Sequence, residues 1–145
     1  MTALRDTATR LSDQFLAALN QNDVAGMSQI VAPGYVQHNP EVPGGREGLL
    51  SWMASMHIAF PDFMVERLDM IVDADRLVVR HRVSGTHLGE FLGWPGSGRS
   101  FVMHTAEFFR IADGVLQEHW DVWSPQGMLV QLGLPVEGGL FTTFG

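Results

Sequence analysis

The chain contains neither cysteine nor lysine. Without cysteine there are no thiol nucleophiles, disulfides or thiolate metal sites. Without lysine, Schiff-base chemistry is closed, so a reaction at a carbonyl must run by acid–base and electrostatic means. All nine basic residues are arginines, and 16 acidic residues leave a net charge of −7. That balance argues against nucleic acid and anionic membrane surfaces, which call for clustered basic groups. No apolar run approaches membrane-spanning length, and the opening MTALRDTATRLSDQF is too polar for a secretory signal. The cytoplasm is therefore the expected location. Tyrosine occurs once, at Tyr35. What remains is ordinary: 145 residues, 46% apolar and 17% charged, the composition of one globular domain. Its core is expected over about 4–133, with a tail from 134 to 145 that has no usable periodicity.

Helical spacing of Leu4, Ala8, Leu11, Phe15 and Leu19 predicts an amphipathic helix ending near Asn22. A short second helix, capped at Asn22 or Asp23, would carry Val24, Met27 and Ile30 or Val31 and stop at Pro33-Gly34. YVQHN is a brief strand candidate. Leu49, Met53, Met56 and Phe60 predict a third helix over Arg46–Phe60, ended by Pro61-Asp62. The texture then changes to strands, FMVERLDMIV and DRLVVRHRVSGTH, about an Asp73-Ala74-Asp75 turn. LGEFLGWPGSG is a long glycine-rich loop, a candidate functional segment. SFVMHTAEFFRI and VLQEHWDVW follow around Asp113-Gly114, and Met128, Leu129 and Leu132 suit a short last helix. Helices first and antiparallel strands afterwards predict an α+β fold, helices packed on one face of a curved sheet.

Asp121 poses the chemical question, because it stands between Trp120, Val122 and Trp123, where its charged form loses hydration. If Asp113-Gly114 is a two-residue turn, Ala112 faces Val115. The pairing that follows puts Ala106 opposite Asp121, His104 opposite Trp123 and Phe108 opposite His119. His104 and Asp121 would be diagonal neighbours on one face, roughly 7–8 Å apart at the backbone. The other face would hold Met103, Thr105, Glu107 and Phe109 with Glu118, Trp120 and Val122. Neither face is cleanly polar, so both are expected to be covered, one by the helices around a pocket and the other by a second copy in a homodimer.

Two readings of Asp121 compete: a salt bridge to Arg80 or Arg82, or an acid/base group whose pKa is raised by desolvation. His104 beside it would be a proton partner or a donor to a developing oxyanion. His57 reads as structural or exposed. His81 and His87 match no metal-ligand spacing, so no metal site is expected. Trp52, Phe60, Phe91, Trp94 and Phe108 read first as core. The last three could also line an apolar cavity for a flat ligand.

YVQHNP, GGREGL, FPDF, DRLVVRHRVSGTHLGEFLG, EFFRIADG and EHWDVW followed by QLG occur in order across Tyr35–Gly133. As a set they resemble the SnoaL-like polyketide cyclase family. The resemblance implies the cone-shaped α+β fold of nuclear transport factor and ketosteroid isomerase, with a deep pocket between sheet and helices. It also implies homo-oligomers, no metal or organic cofactor, and a small apolar or aromatic ligand. The family's aromatic cyclases use a late-strand aspartate as acid/base in an intramolecular aldol ring closure of a polyketide ester. That position corresponds to Asp121, with His104 matching a histidine on the preceding strand and His38 one on the first strand. The expected site is thus Asp121 and His104, with His38, Ala106, Phe108, His119, Trp123, Trp52, Phe60, Phe91 and Trp94 holding the substrate. Isomerisation, dehydration or hydrolysis in the same cone, and ligand binding without chemistry, are the alternatives.

Overall fold

The computed structural model describes residues 2–136; the part of the expected tail from residue 137 lies outside them. Elements run α1 (Thr2–Gln21), α2 (Val24–Ile30), β1 (Val31–Gln37), α3 (Gly45–Ala59), β2 (Met64–Asp73), β3 (Arg76–Thr86), β4 (Ser100–Ala112), β5 (Val115–Val122) and α4 (Pro125–Leu132). The strands form one sheet in the order β1-β5-β4-β3-β2, with β1 parallel to β5 and every other pair antiparallel. This is the α+β arrangement expected from the sequence. No helix among the described residues is long and apolar enough to cross a membrane.

The helical periodicities fall where the packing needs them. Ala8, Leu11, Phe15, Ala18 and Leu19 of α1 and Leu49, Met53, Met56 and Ala59 of α3 are buried against the inner sheet face. Asn20 fixes α1 to β2: its Nδ2 donates to the Val65 carbonyl at 2.9 Å and its Oδ1 accepts from the Val65 N–H at 2.8 Å. Asp23 caps α2 by accepting from the Gly26 N–H at 2.9 Å. That helix ends at Ile30, and β1 begins at once and runs through Pro33-Gly34. The predicted break is absent because β1 is an edge strand, where proline's missing N–H removes no bond from the sheet interior. Register along β1 shifts between Val31 and Val36.

One bulge decides the rest of the structure. The Asp113-Gly114 turn is the expected two-residue turn, with Ala112 opposite Val115 and both turn residues at positive φ, +54° and +74°. Ile111 pairs with Leu116, but Arg110 pairs with Glu118, which leaves Gln117 unopposed. The side chain of that extra residue folds back, its Nε2 donating to the Ala112 carbonyl at 3.0 Å. Beyond Gln117 every residue of β5 therefore points to the face opposite that of an unbroken ladder.

Candidate active site

The bulge corrects the expected pairing. Glu107, not Ala106, stands opposite Asp121; Phe108 is opposite Trp120, and Phe109 opposite His119. Glu107, His119, Asp121 and Trp123 thus line a cavity of ≈ 1150 Å³ beneath α1, α3 and the loop after β3. His104 goes to the outer face with Ala106 and Phe108; it is exposed, pairs with Arg82 across the ladder and does not border the cavity. It is therefore not a proton partner of Asp121. His38 also lies outside, stacked on Trp120 with centroids 4.7 Å apart and bonded to Glu118 at 2.7 Å. Phe60 is sealed in the core, edge-on to Phe101 and under Gly85, where a Cβ would stand only 2.9 Å from the Phe60 Cβ. Trp52, Phe91 and Trp94 do line the cavity with His119 and Trp123.

Asp121 has no guanidinium partner. Arg80 is bonded to Asp69 at 2.6 Å and Arg82 to Glu66 at 2.9 Å, both across β2 and β3 on the outer face. Among the described residues the cavity lining includes five carboxylates, Glu41, Glu47, Glu90, Glu107 and Asp121, and no arginine. Asn39 Nδ2 donates to Asp121 Oδ2 at 2.9 Å, while Oδ1 has no hydrogen-bond partner among the described residues. Burial raises the Asp121 carboxyl above its ordinary value, and the Glu107 charge adds to the rise; the Asn39 bond and the His119 ring oppose it without cancelling it.

The hydrogen bonds around Asp121 fix every orientation. The Asn39 N–H donates to Gln37 Oε1 at 3.1 Å, which identifies the other Gln37 terminus as the amide nitrogen. That nitrogen lies 2.8 Å from His119 Nδ1 and 3.1 Å from the Tyr35 hydroxyl. Nδ1 is therefore the acceptor nitrogen, facing the Tyr35 hydroxyl as well at 2.8 Å. The ring hydrogen sits on Nε2 and is donated to Glu107 Oε2 at 3.1 Å. Phe109 stacks on the ring at 4.2 Å and holds its plane. Burial alone would push Glu107 up. The His119 hydrogen bond to one oxygen and the His81 ring beside the other together outweigh burial and hold its carboxyl below the usual carboxylate range. Burial, with the Glu107 and Asp121 charges, pushes the Tyr35 hydroxyl up.

Tyr35, Gln37 and Asn39 escaped the sequence reading, although alternation in YVQHN places all three on the side opposite Val36 and His38. The bulge puts Glu107 opposite Asp121 on the cavity side rather than on the outer face.

Two directly opposed carboxyls, one driven up and one held down, form a pair with separate acid–base roles. Asp121 is suited to exchange a proton, and Glu107 to remain an anion. Comparison with known proteins identifies the family. Residues 9–132 match the family described as SnoaL-like polyketide cyclase. Aklanonic acid methyl ester cyclase DnrD of Streptomyces peucetius is 29% identical over 104 residues, covering 71% of each chain. DauD of Streptomyces sp. (strain C5), an enzyme of the same name, is 27% identical over 110 residues, 75% of this chain and 68% of its own. The solved structure of TsrD from Streptomyces laurentii superposes with a TM-score of 0.82 at 33% identity, covering 89% of this chain and 96% of its own. IdmH from Streptomyces antibioticus gives 0.77 at 30% identity over 88% and 99%. Motifs, fold, cavity and relatives agree, and the chain belongs to the SnoaL-like polyketide cyclases.

Proposed function

We propose that the protein closes a ring in an aromatic polyketide ester by intramolecular aldol addition, with Asp121 as the acid/base group. The observation that carries this reading is a carboxyl in a largely apolar cavity that has, among the described residues, one oxygen without a hydrogen-bond partner and no cation bound to it. The open oxygen removes a proton from a carbon acidified by an adjoining carbonyl and aromatic system. The resulting enolate carbon attacks a second carbonyl, and the acid form of Asp121 returns the proton to the new alkoxide. Bonds and protons balance, and no second reactant is needed. Alignment of the two ends in one cavity contributes up to ~7–11 kcal/mol. His104 has no part in this scheme.

The charge of the cavity supports an ester over a free acid. Among the described residues five carboxylates border it and no arginine does, so an added carboxylate would meet repulsion without a counter-ion. The flat apolar walls, Trp52, Phe91, Trp94 and Trp123, suit a planar ligand. The outer sheet face supports a homodimer, since Val36, Val102, Phe108 and Val122 are exposed there.

The test is turnover of aklanonic acid methyl ester and related aromatic polyketide esters, followed by chromatography and mass-neutral product formation. Asp121→Asn is expected to lower kcat at least ~10³-fold with unchanged circular dichroism. Turnover at the wild-type rate in that variant overturns the reading, as does tight binding of the esters with no product.

A further inference from the structure

Glu107 stands between two imidazoles, and only one of them reaches the cavity. His119 donates to Oε2 at 3.1 Å. On the other side His81, on β3, is 1% exposed, and its Nδ1 lies 3.7 Å from Glu107 Oε1. Neither nitrogen of the His81 ring has a hydrogen-bond partner. An unpartnered buried polar atom costs about 1–3 kcal/mol, and a leucine or methionine would fill such a position without that penalty. The polar ring is therefore unexplained by packing, and it sits beside the one carboxylate that faces Asp121 across the ladder.

We propose that His81 is a positioning residue: with His119 it clamps Glu107 as the fixed anion of the cross-strand pair, so that the pair's one exchangeable proton resides on Asp121. The inference rests on the acid/base role of Asp121. Two carboxyls directly opposite on one sheet face do not ionise independently. Which of them holds a shared proton depends on the donors each one meets. Glu107 meets His119, the Thr105 hydroxyl at 3.3 Å and the edge of His81. Asp121 meets only the neutral amide of Asn39.

Few other charges bear on the pair. From β1 comes the Tyr35 hydroxyl, and from α1 the apolar Phe15 and Leu19. Glu47 of α3 and Glu41 and Glu90 of the loops border the cavity but are exposed. The imidazoles are thus the only donors of basic type near the two carboxyls among the described residues. Without His81, Glu107 keeps a single imidazole and competes with Asp121 for the proton, which depletes the form with the proton on Asp121 and the anion on Glu107.

Carboxyl-carbon NMR titration of the substrate-free protein tests this, with signals assigned by Asp121→Asn and Glu107→Gln. In the wild type Asp121 should titrate above the ordinary range while Glu107 stays ionised. In His81→Phe, which keeps a flat ring of similar volume, Glu107 should titrate together with Asp121 in two coupled steps, and the Asp121 midpoint should fall by about one pH unit. Titrations of both carboxyls superimposable on wild type would overturn the proposal, as would a wild-type Glu107 that titrates alongside Asp121. If His81→Phe does not fold, ¹⁵N-histidine spectra of the wild type decide. A hydrogen on His81 Nδ1 bonded toward Glu107 supports the clamp, and a bare Nδ1 overturns it. None of these measurements uses turnover, so loss of the cyclase reading and loss of the clamp are separately detectable.

Discussion

Asp121 and Glu107 share a chemistry and a ladder position, yet their surroundings drive them in opposite directions. The consequences for stability have opposite sign. Burial raises Asp121 above 3.8, so the native state binds its proton more readily than the unfolded chain. That contribution is favourable at low pH and is lost as pH rises through the raised native value. Asp121→Asn should therefore be at least as stable as wild type at neutral pH, the difference disappearing toward and below about pH 4. Glu107 is held below 4.5, so its contribution is present above that value and is lost as pH falls through the depressed one. Glu107→Leu should cost roughly 3 kcal/mol at neutral pH, because the Nε2 hydrogen of His119 is left buried without an acceptor. Thermal melts across pH check both signs, and a destabilised Asp121→Asn at neutral pH would contradict the desolvation account. At this scale the sequence disclosed Asp121 through its apolar neighbours. It hid Glu107, since a buried anion is recognisable only beside the imidazoles that hold it.

The elements themselves were legible. Periodicity located α1, α3 and α4, and the Asp113-Gly114 turn formed as its positive-φ residues require. The unopposed Gln117 was not legible, for a specific reason. Both alternation sets of VLQEHWDVW carry one carboxylate and one tryptophan: Glu118 and Trp120 on one side, Asp121 and Trp123 on the other. With no amphipathic contrast, pairing could be inferred only from the turn, and a bulge two residues further on reversed it. A single displacement at Gln117 thus accounts for the outward place of His104 and for Glu107 facing Asp121. Deleting Gln117 should force an unbroken ladder, turn His119, Asp121 and Trp123 outward and bury Glu118. The expected result is a melting temperature lower by at least ~10 °C and no turnover. A deletion variant with wild-type melting and turnover would show that the ladder tolerates either register.

Across the whole molecule, charge is sorted by side. Arg80 and Arg82 form ion pairs on the outer sheet face while none of the nine arginines borders the cavity. On the edge strand β1 and its neighbour β5, Val36 and Val122 are 46% and 66% exposed. A patch of that kind, rimmed by polar groups, is the surface expected to meet a second copy. Light scattering should give a dimer mass, and Val122→Glu should shift it to the monomer while leaving the helical signal intact. A wild-type monomer at micromolar concentration would remove the dimer. The fold was recoverable from order and periodicity because those patterns reflect burial. The outer face was visible only as an absence of polarity, which does not say what covers it.

Asn39 occupies one oxygen of Asp121 and leaves the other open. In the proposed cycle a single atom must collect a hydrogen from carbon and later deliver it to oxygen. Both partners must therefore visit the same point in space, the second after the first has moved aside. Ring closure under that constraint places the attacked carbonyl oxygen on the side from which the hydrogen was removed. The amide of a loop asparagine would thus constrain the relative configuration of the product.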